Sequence, residues 1–209
     1  MLVRDVMSSP ALAVPAEMSL QDAYRLMRDK GIRHLPVMEG ERLVGIITDR
    51  DLRLATSSLA PTPLPADTAV SAVMSHPPLT ADGEDPVEEA ARLMRERKIG
   101  CLPIVDDGRL VGIITGLDLL DALMRMTGVD KPSGRLEVRL PDHPGALARL
   151  TEALSRRSLN VHSILSYPDE PHSVRTVLRI GSIEIRQLAR ELREAGFEVL
   201  WPPEKPWRR

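Results

Sequence analysis

The chain has 209 residues and a mass of 23.1 kDa, which is enough for one large domain or two small ones. Hydrophobic residues make up 43% and charged residues 28%, as in ordinary globular proteins, so a buried core is expected rather than a disordered chain. The net charge of -2 excludes the strongly basic character of many nucleic-acid-binding proteins, and two Trp, two Tyr and one Phe offer few faces for stacking bases.

The N-terminal stretch and the cysteine content predict a soluble cytoplasmic protein. The segment MLVRDVMSSP lacks the apolar core of a signal peptide, and no run approaches the roughly 20 apolar residues of a membrane span. The single cysteine, Cys101, cannot form an internal disulfide or a multi-cysteine metal site. We therefore expect neither a membrane nor a nucleic acid as a partner.

An internal repeat organises the first part of the chain. At an offset of 67, without a gap, 24 of the 50 residues over 3–52 are identical to their partners over 70–119. Chance identity would give about three. Two copies of such a unit can bury their apolar faces against each other in one module. The predicted first domain spans 1–127, with repeats at about 1–60 and 68–127.

Each copy predicts the same order of elements, β-α-β-β-α. A lead-in that ends in Val-Met and a short extended stretch precede a helix, whose expected N-caps are Ser19 in the first copy and Asp85 in the second. Gly31 is expected to end the first of these helices in a left-handed conformation. Two strands follow, and a second helix is predicted to begin near Thr48 or Thr115.

A second domain is predicted over 135–200, after a linker with Gly and Pro over 128–134. Leucine and valine alternate with polar residues over 136–140, which indicates a half-buried strand. The elements that follow complete the order β-α-β-β-α-β, which is typical of the ferredoxin-like fold. Residues 201–209 form a Pro-rich tail. The predicted fold class is α/β (α+β), a tandem repeat pair followed by a ferredoxin-like domain.

Two sets of motifs carry a family resemblance. GIITDRD over 45–51 and GIITGLD over 112–118 recur in one register after the Val-Met lead-ins, and with the helix-strand-strand order they resemble a tandem pair of CBS domains, or Bateman module. DHPGAL over 142–147 and the Asn-Val pair at 160–161 resemble an ACT domain. The combination is similar to the acetoin-utilisation accessory proteins.

The resemblance implies a regulatory protein without catalytic activity. CBS pairs commonly bind adenosine-containing molecules and many ACT domains bind amino acids, so the expected ligands are an adenine nucleotide (AMP, ADP or ATP) as a regulator and an amino acid. Both domain types usually dimerise, so a homodimer is expected. The alternative is an interaction subunit with non-functional ligand pockets that binds a metabolic enzyme, such as one of acetoin metabolism.

The spacing of Thr48 and Asp51, repeated at Thr115 and Asp118, is that of a helix capping box, which explains the residues without any ligand. The same geometry also suits a nucleotide. A helix N-terminus attracts phosphate, and a carboxylate one turn on can accept hydrogen bonds from ribose hydroxyls. The resemblance assigns phosphate to the two threonines and ribose to the two aspartates.

Further nucleotide-binding candidates surround these pairs. The resemblance places adenine between the early extended stretch and the start of the first core strand, and it adds these residues: Ala13, Val14, Thr80, Arg33 and His34. Arg50 can bind phosphate with a guanidinium fork, whereas its repeat counterpart is Leu117, so the first pocket is expected to be tighter for di- and triphosphates. The alternatives are that Arg50 faces solvent or that it reaches the second pocket.

In the second domain, Asp142, Gly145 and Asn160 are the candidate ligand residues. The resemblance implies that Asp142 binds the amino group of an amino acid and that Asn160 binds its polar end. Gly145 permits close approach of the backbone. The alternative is that Asp142 caps a helix and Asn160 closes a turn. The five histidines show no zinc-binding spacing, and no catalytic arrangement is found, so neither a metal nor a catalytic cofactor is expected.

Overall fold

The computed structural model describes residues 1–204, so the last five residues of the predicted tail lie outside the described part of the chain. The chain divides into two compact units, and the division falls between Ala122 and Leu123. Within residues 1–204, none of the helices combines the length and the apolar composition that a bilayer span requires.

The first repeat forms a three-stranded sheet and two helices. Its elements are β1 (Val14–Pro15), α1 (Leu20–Lys30), β2 (His34–Glu39), β3 (Arg42–Thr48) and α2 (Asp49–Thr56). The strand β1 is parallel to β2, and β2 is antiparallel to β3. The hydroxyl of Ser19 accepts a hydrogen bond from the amide of Asp22 at 3.0 Å, which confirms Ser19 as the N-cap of α1. Gly31 ends α1 with φ 65°, as predicted.

The second repeat has the same helices and hairpin but lacks the first strand. Its elements are α3 (Val87–Arg97), β4 (Cys101–Asp106), β5 (Arg109–Thr115) and α4 (Gly116–Thr127). The early extended stretch makes one parallel bridge, from Ala81 to Ile104, in place of the predicted strand. The N-cap of α3 is Pro86, so the prediction of Asp85 was wrong. The carboxylate of Asp85 instead accepts a hydrogen bond from the amide of Asp82 at 2.9 Å.

The two lead-ins are exchanged between the repeats. Val3, from the first lead-in, is buried in the core of the second repeat, and its amide donates to the carbonyl of Asp85 at 2.9 Å. Val70, from the second lead-in, is buried in the core of the first repeat, and its amide donates to the carbonyl of Met18 at 2.8 Å. Each repeat therefore needs a segment of the other to complete its core.

The methionine of each lead-in packs on a glycine of the opposite repeat. A Cβ atom placed on Gly45 of β3 would lie 2.4 Å from the sulfur of Met74. A Cβ atom placed on Gly112 of β5 would lie 2.7 Å from the sulfur of Met7. Contacts this short do not occur, so only glycine leaves room for the exchanged methionine in the present packing.

The second unit contains a four-stranded antiparallel sheet. Its elements after α4 are β6 (Gly134–Pro141), α5 (Ala146–Ser155), β7 (Val161–Pro168), β8 (Ser173–Ile180), α6 (Ile185–Glu194) and β9 (Glu198–Trp201). The strand order β7-β8-β6-β9 confirms the predicted ferredoxin-like fold. Alternate residues of β6 are buried in a core shared with both helices: Leu136, Val138 and Leu140.

Candidate functional site

The N-terminus of α2 carries the predicted capping box. The Oδ2 atom of Asp51 accepts hydrogen bonds from the amide of Thr48 at 3.0 Å and from its hydroxyl at 2.7 Å. The amide of Asp51 donates to the hydroxyl oxygen of Thr48 at 3.2 Å. The other carboxylate oxygen, Oδ1, has no hydrogen bond within residues 1–204, so half of this carboxylate is available to a ligand.

The same arrangement recurs at the start of α4. The Oδ2 atom of Asp118 accepts from the amide and from the hydroxyl of Thr115, each at 2.7 Å, and the amide of Asp118 lies 3.5 Å from the threonine hydroxyl. Its Oδ1 atom is again without a hydrogen bond in the described chain. Capping therefore occupies one oxygen of each aspartate and leaves the second one unused.

Strand pairing places Arg33 and His34 beside the first capping box. His34 is the direct partner of Thr48 across the β2–β3 ladder. The amide of Asp49 donates to the carbonyl of Arg33 at 3.0 Å, which fixes the residue before β2 against the first turn of α2. Two of the predicted nucleotide-binding residues thus lie next to the helix N-terminus.

The corresponding positions in the second repeat, Gly100 and Cys101, carry no charged side chain. Cys101 is the direct partner of Thr115, and the amide of Gly116 donates to the carbonyl of Gly100 at 3.2 Å. Burial raises the pKa of the Cys101 thiol to about 12, and the charge of Asp51 contributes to the shift. The thiol therefore remains protonated at neutral pH, which suits packing rather than nucleophilic chemistry.

The early extended stretches lie against the middle of the core strands. Val14 pairs with Val37 in β2, and Ala81 forms its bridge with Ile104 in β4. Because both pairings are parallel, the preceding residues, Ala13 and Thr80, lie on the side of the strand start. Ala13 and Thr80, which are predicted to contact adenine, therefore lie toward the strand starts, but they are not directly opposite the first residues of β2 and β4.

Arg50 projects from the first turn of α2 and is exposed. Within residues 1–204 its guanidinium has no hydrogen bond or ion pair, whereas Arg53 pairs with Asp49 at 2.6 Å. The counterpart of Arg50 in α4, Leu117, is 62% exposed. In the single chain Arg50 therefore faces solvent, as one of the sequence-based alternatives states, and it has no partner to give up on binding an anion.

The candidate ligand residues of the second domain lie at opposite ends of β8. The amide of Asp142 donates to the carbonyl of His172 at 2.8 Å, and the carbonyl of Asn160 accepts from the amide of Gly181 at 2.9 Å. The nine residue-to-residue steps from His172 to Gly181 span about 30 Å of extended chain. One chain therefore does not offer Asp142 and Asn160 to the same small ligand.

Gly145 is the N-cap of α5 with φ 91°, a conformation that favours glycine, and no side chain caps this helix. The alternative role of Asp142 as the helix cap is therefore wrong. A cavity of about 340 Å³ opens beside the same turn, at the lower end of the usual size for ligand sites. The polar residues that line this cavity are not the predicted ones. They come from four separate segments of the chain, so the sequence does not mark them as a group: Arg139, His143, Arg149, His172, Ser173 and Glu198.

No metal centre is assembled in the part of the chain that the structure describes. In residues 1–204, no three side chains of His, Cys, Asp or Glu come together in a way that would hold a metal ion.

Comparison with known families identifies both domains. Residues 3–58 and 70–125, more than half of the chain, match the CBS domain family. The chain belongs to the CBS-domain family. Residues 134–197 match the ACT domain family. The tandem CBS pair and the ACT domain predicted from the sequence are therefore confirmed, and both are regulatory modules.

Individual relatives resemble the chain over about three fifths of its length. CBS domain-containing protein DDB_G0289609 from Dictyostelium discoideum is 39% identical over 137 residues, which are 60% of this chain and 92% of that protein. The solved acetoin utilization protein AcuB from Vibrio cholerae is 32% identical with a TM-score of 0.54, over 64% of this chain and 98% of that one. CBSX2, solved in complex with AMP, is 29% identical with a TM-score of 0.54, over 60% of this chain and 97% of that one.

Proposed function

We propose that this protein is a cytoplasmic, non-catalytic sensor whose CBS pair binds an adenine nucleotide. The observation that carries the proposal is the unused Oδ1 atom of Asp51 and of Asp118, each one turn inside a helix N-terminus. Each Oδ1 atom can accept hydrogen bonds from ribose hydroxyls, while the helix N-terminus and the threonine receive phosphate. The similar protein CBSX2 was solved with AMP, which supports this class of ligand.

Thermal denaturation of the full chain with AMP, ADP, ATP and S-adenosylmethionine tests the proposal. A ligand at 100 times its dissociation constant stabilises the folded state by about 2.7 kcal/mol, which raises the melting temperature measurably. Uridine monophosphate is the matched control, because it carries ribose and phosphate without adenine. The absence of a shift with every adenosine compound would reject the nucleotide and favour the interaction subunit.

We also infer that two copies associate through α4. Leu117 and Leu120 of α4 are 62% and 56% exposed, although large apolar side chains on a helix normally face a core. Their repeat counterparts in α2 are Arg50 and Arg53, so the apolar stripe belongs to one helix of the pair. A self-complementary patch of this kind fits a symmetric dimer.

Light scattering after size-exclusion chromatography checks the dimer. Leu120→Glu places a charge in the stripe and is expected to give monomers. Leu59→Glu is the matched control, because Leu59 is 93% exposed outside α4 and its replacement is expected to leave the dimer intact. A monomeric wild-type chain, or dimers that survive Leu120→Glu, would contradict this assembly.

The ACT domain is proposed to mediate dimerisation or to sense an amino acid, with Asp142, Gly145 and Asn160 as its candidate residues. Since one chain separates Asp142 from Asn160 by about 30 Å, a shared ligand would need one residue from each of two chains.

The metabolic setting we propose is acetoin utilisation, supported by the similarity to AcuB. Turnover of an acetoin-cleaving dehydrogenase, measured with and without this protein and AMP, tests that setting.

The interaction subunit remains the second candidate function, favoured by one observation. Both Thr–Asp pairs already serve as complete capping boxes, so their presence needs no ligand. In that case the protein would alter dehydrogenase turnover equally in the presence and absence of nucleotide.

A further inference from the structure

His34 belongs to the first repeat by its backbone, but its side chain packs against the second repeat. Its ring lies against Gly100, where a Cβ atom would be 2.6 Å from Nε2 and 3.3 Å from Cε1. Its backbone pairs with Thr48, the N-cap of α2. The ring therefore packs at the start of β4 while its backbone is fixed beside the proposed phosphate end of the first site.

The charged groups around His34 are few and come from two segments. Arg33 precedes it, and Asp49 and Asp51 lie on α2. Burial lowers the pKa of His34, the charge of Arg33 lowers it further, and the two carboxylates oppose the shift. From β4 the neighbours are Gly100, without a side chain, and Cys101, whose thiol is neutral because its pKa is raised to about 12. In the free protein the imidazole is thus held neutral at physiological pH.

We propose that His34 is a proton-linked receptor for the nucleotide phosphate, so that binding of AMP to the first site is accompanied by proton uptake on this imidazole. The inference rests on the proposed nucleotide site. An arriving phosphate adds negative charge near a half-buried ring, which is influenced by the carboxylates of Asp49 and Asp51 on α2 and packs against the uncharged start of β4. Negative charge favours the imidazolium form and raises the pKa of His34 in the complex.

The sign of the pH dependence follows from this linkage. Because the imidazole binds protons more tightly in the complex than in the free protein, lower pH favours the complex. Affinity is highest below the pKa of the free protein and declines as the pH rises through the pKa of the complex. Each unit between the two pKa values corresponds to about a tenfold change in affinity.

Titration calorimetry of AMP into the full chain tests the inference. The Asp118→Ala background reports on the first site, and two buffers of different ionisation enthalpy give the number of protons taken up. From about pH 8 to about pH 6 we expect the affinity of the His34-containing chain to rise about tenfold more than that of His34→Gln. The phosphate of AMP itself titrates near pH 6, and the variant supplies that baseline.

Two further variants and one further ligand sharpen the test. His162→Gln, an exposed position in the second unit, is expected to keep the wild-type pH profile. Gly100→Ala displaces the ring without removing it and is expected to reduce proton uptake even if His34→Gln folds poorly. Adenosine, without phosphate, is expected to bind without proton uptake at His34. Identical pH profiles for wild type and His34→Gln would overturn the inference and leave the nucleotide site intact, whereas no AMP binding at any pH would reject both.

Discussion

The two repeats have the same two helices, the same β-hairpin and one Thr–Asp capping box each, yet they differ in residues close to the box. At three equivalent positions the first repeat has Arg33, His34 and Arg50, whereas the second has Gly100, Cys101 and Leu117. The shared residues are the ones that the fold requires, because Thr48 and Asp51 cap a helix whether or not a ligand binds. Residues that differ between the copies are therefore the better guide to what each pocket does.

The largest expected effect concerns nucleotide affinity. Asp51→Ala removes a carboxylate that is proposed to hold the ribose, and hydrogen bonds to charged groups contribute about 1.5–3 kcal/mol, or roughly ten- to a hundredfold in affinity. Because Arg50, on the first turn of α2, is unpaired within residues 1–204 and can turn toward a bound phosphate, we expect Asp51→Ala to remove the tighter ATP site and Asp118→Ala the weaker one. Titration calorimetry with ATP measures both sites.

Exchanging the differing residues tests the same asymmetry. Arg50→Leu is expected to weaken the first site for ATP more than for adenosine, and Leu117→Arg is expected to strengthen the second. Loss of the tighter site in Asp118→Ala, together with no change in Arg50→Leu, would show that the pockets have been assigned in the wrong order.

A smaller effect is expected where the exchanged methionines contact the opposite repeat. Gly45→Ala would place its Cβ atom 2.4 Å from the Met74 sulfur and 3.0 Å from the Ser75 carbonyl, and overpacking of this kind costs about 1–3 kcal/mol. Gly112→Ala meets Met7 at 2.7 Å, so its cost should be somewhat smaller. Urea denaturation gives the free energy of unfolding. Gly116→Ala, with open space around its Cβ position, is the control and is expected to lose no stability.

The smallest effect lies at the ends of α1 and α3, which adopt the same left-handed conformation with different residues. Gly31 has φ 65° and Lys98 has φ 55°. A left-handed conformation costs a non-glycine residue roughly 1–2 kcal/mol, partly offset by the larger entropy of unfolded glycine. We therefore expect Lys98→Gly to gain about 0.5–1 kcal/mol of stability and Gly31→Ala to lose a similar amount. Equal thermal shifts of the same sign would contradict this explanation.

Most of the fold could be predicted from the sequence because its signals lie in residues that are close together in the chain. The ungapped repeat, the cap at Ser19 and the glycine at the end of α1 each follow from residues close in the chain, and the structure confirms them. The same ungapped register places Pro86 opposite Ser19, which is where the structure puts the N-cap that was predicted at Asp85. The exchange of lead-ins was not predictable, since both lead-ins carry valine at this position and the sequence does not indicate which core each one enters.

The proposed sites could be predicted only in part, because some of their contacts join residues that are far apart in the chain. The Thr–Asp pairs are separated by three residues and could be recognised from their spacing. The contact of His34 with Gly100 joins residues that are distant in sequence, and so does the cavity of the second unit, whose lining comes from four segments. No periodicity in the sequence marks contacts of this kind, and they required the tertiary structure.

The exchanged lead-ins also bear on the ancestry of the chain. Two identical single-repeat proteins that traded their N-terminal segments would form a symmetric dimer, and swapping of this kind is a low-cost route to such dimers. A tandem duplication that joined them end to end would preserve every traded contact and require no new core. The 24 identities in 50 positions would then be the surviving symmetry of that dimer. Such a fusion would free the two halves to differ, as they do at Arg50 and its repeat counterpart Leu117.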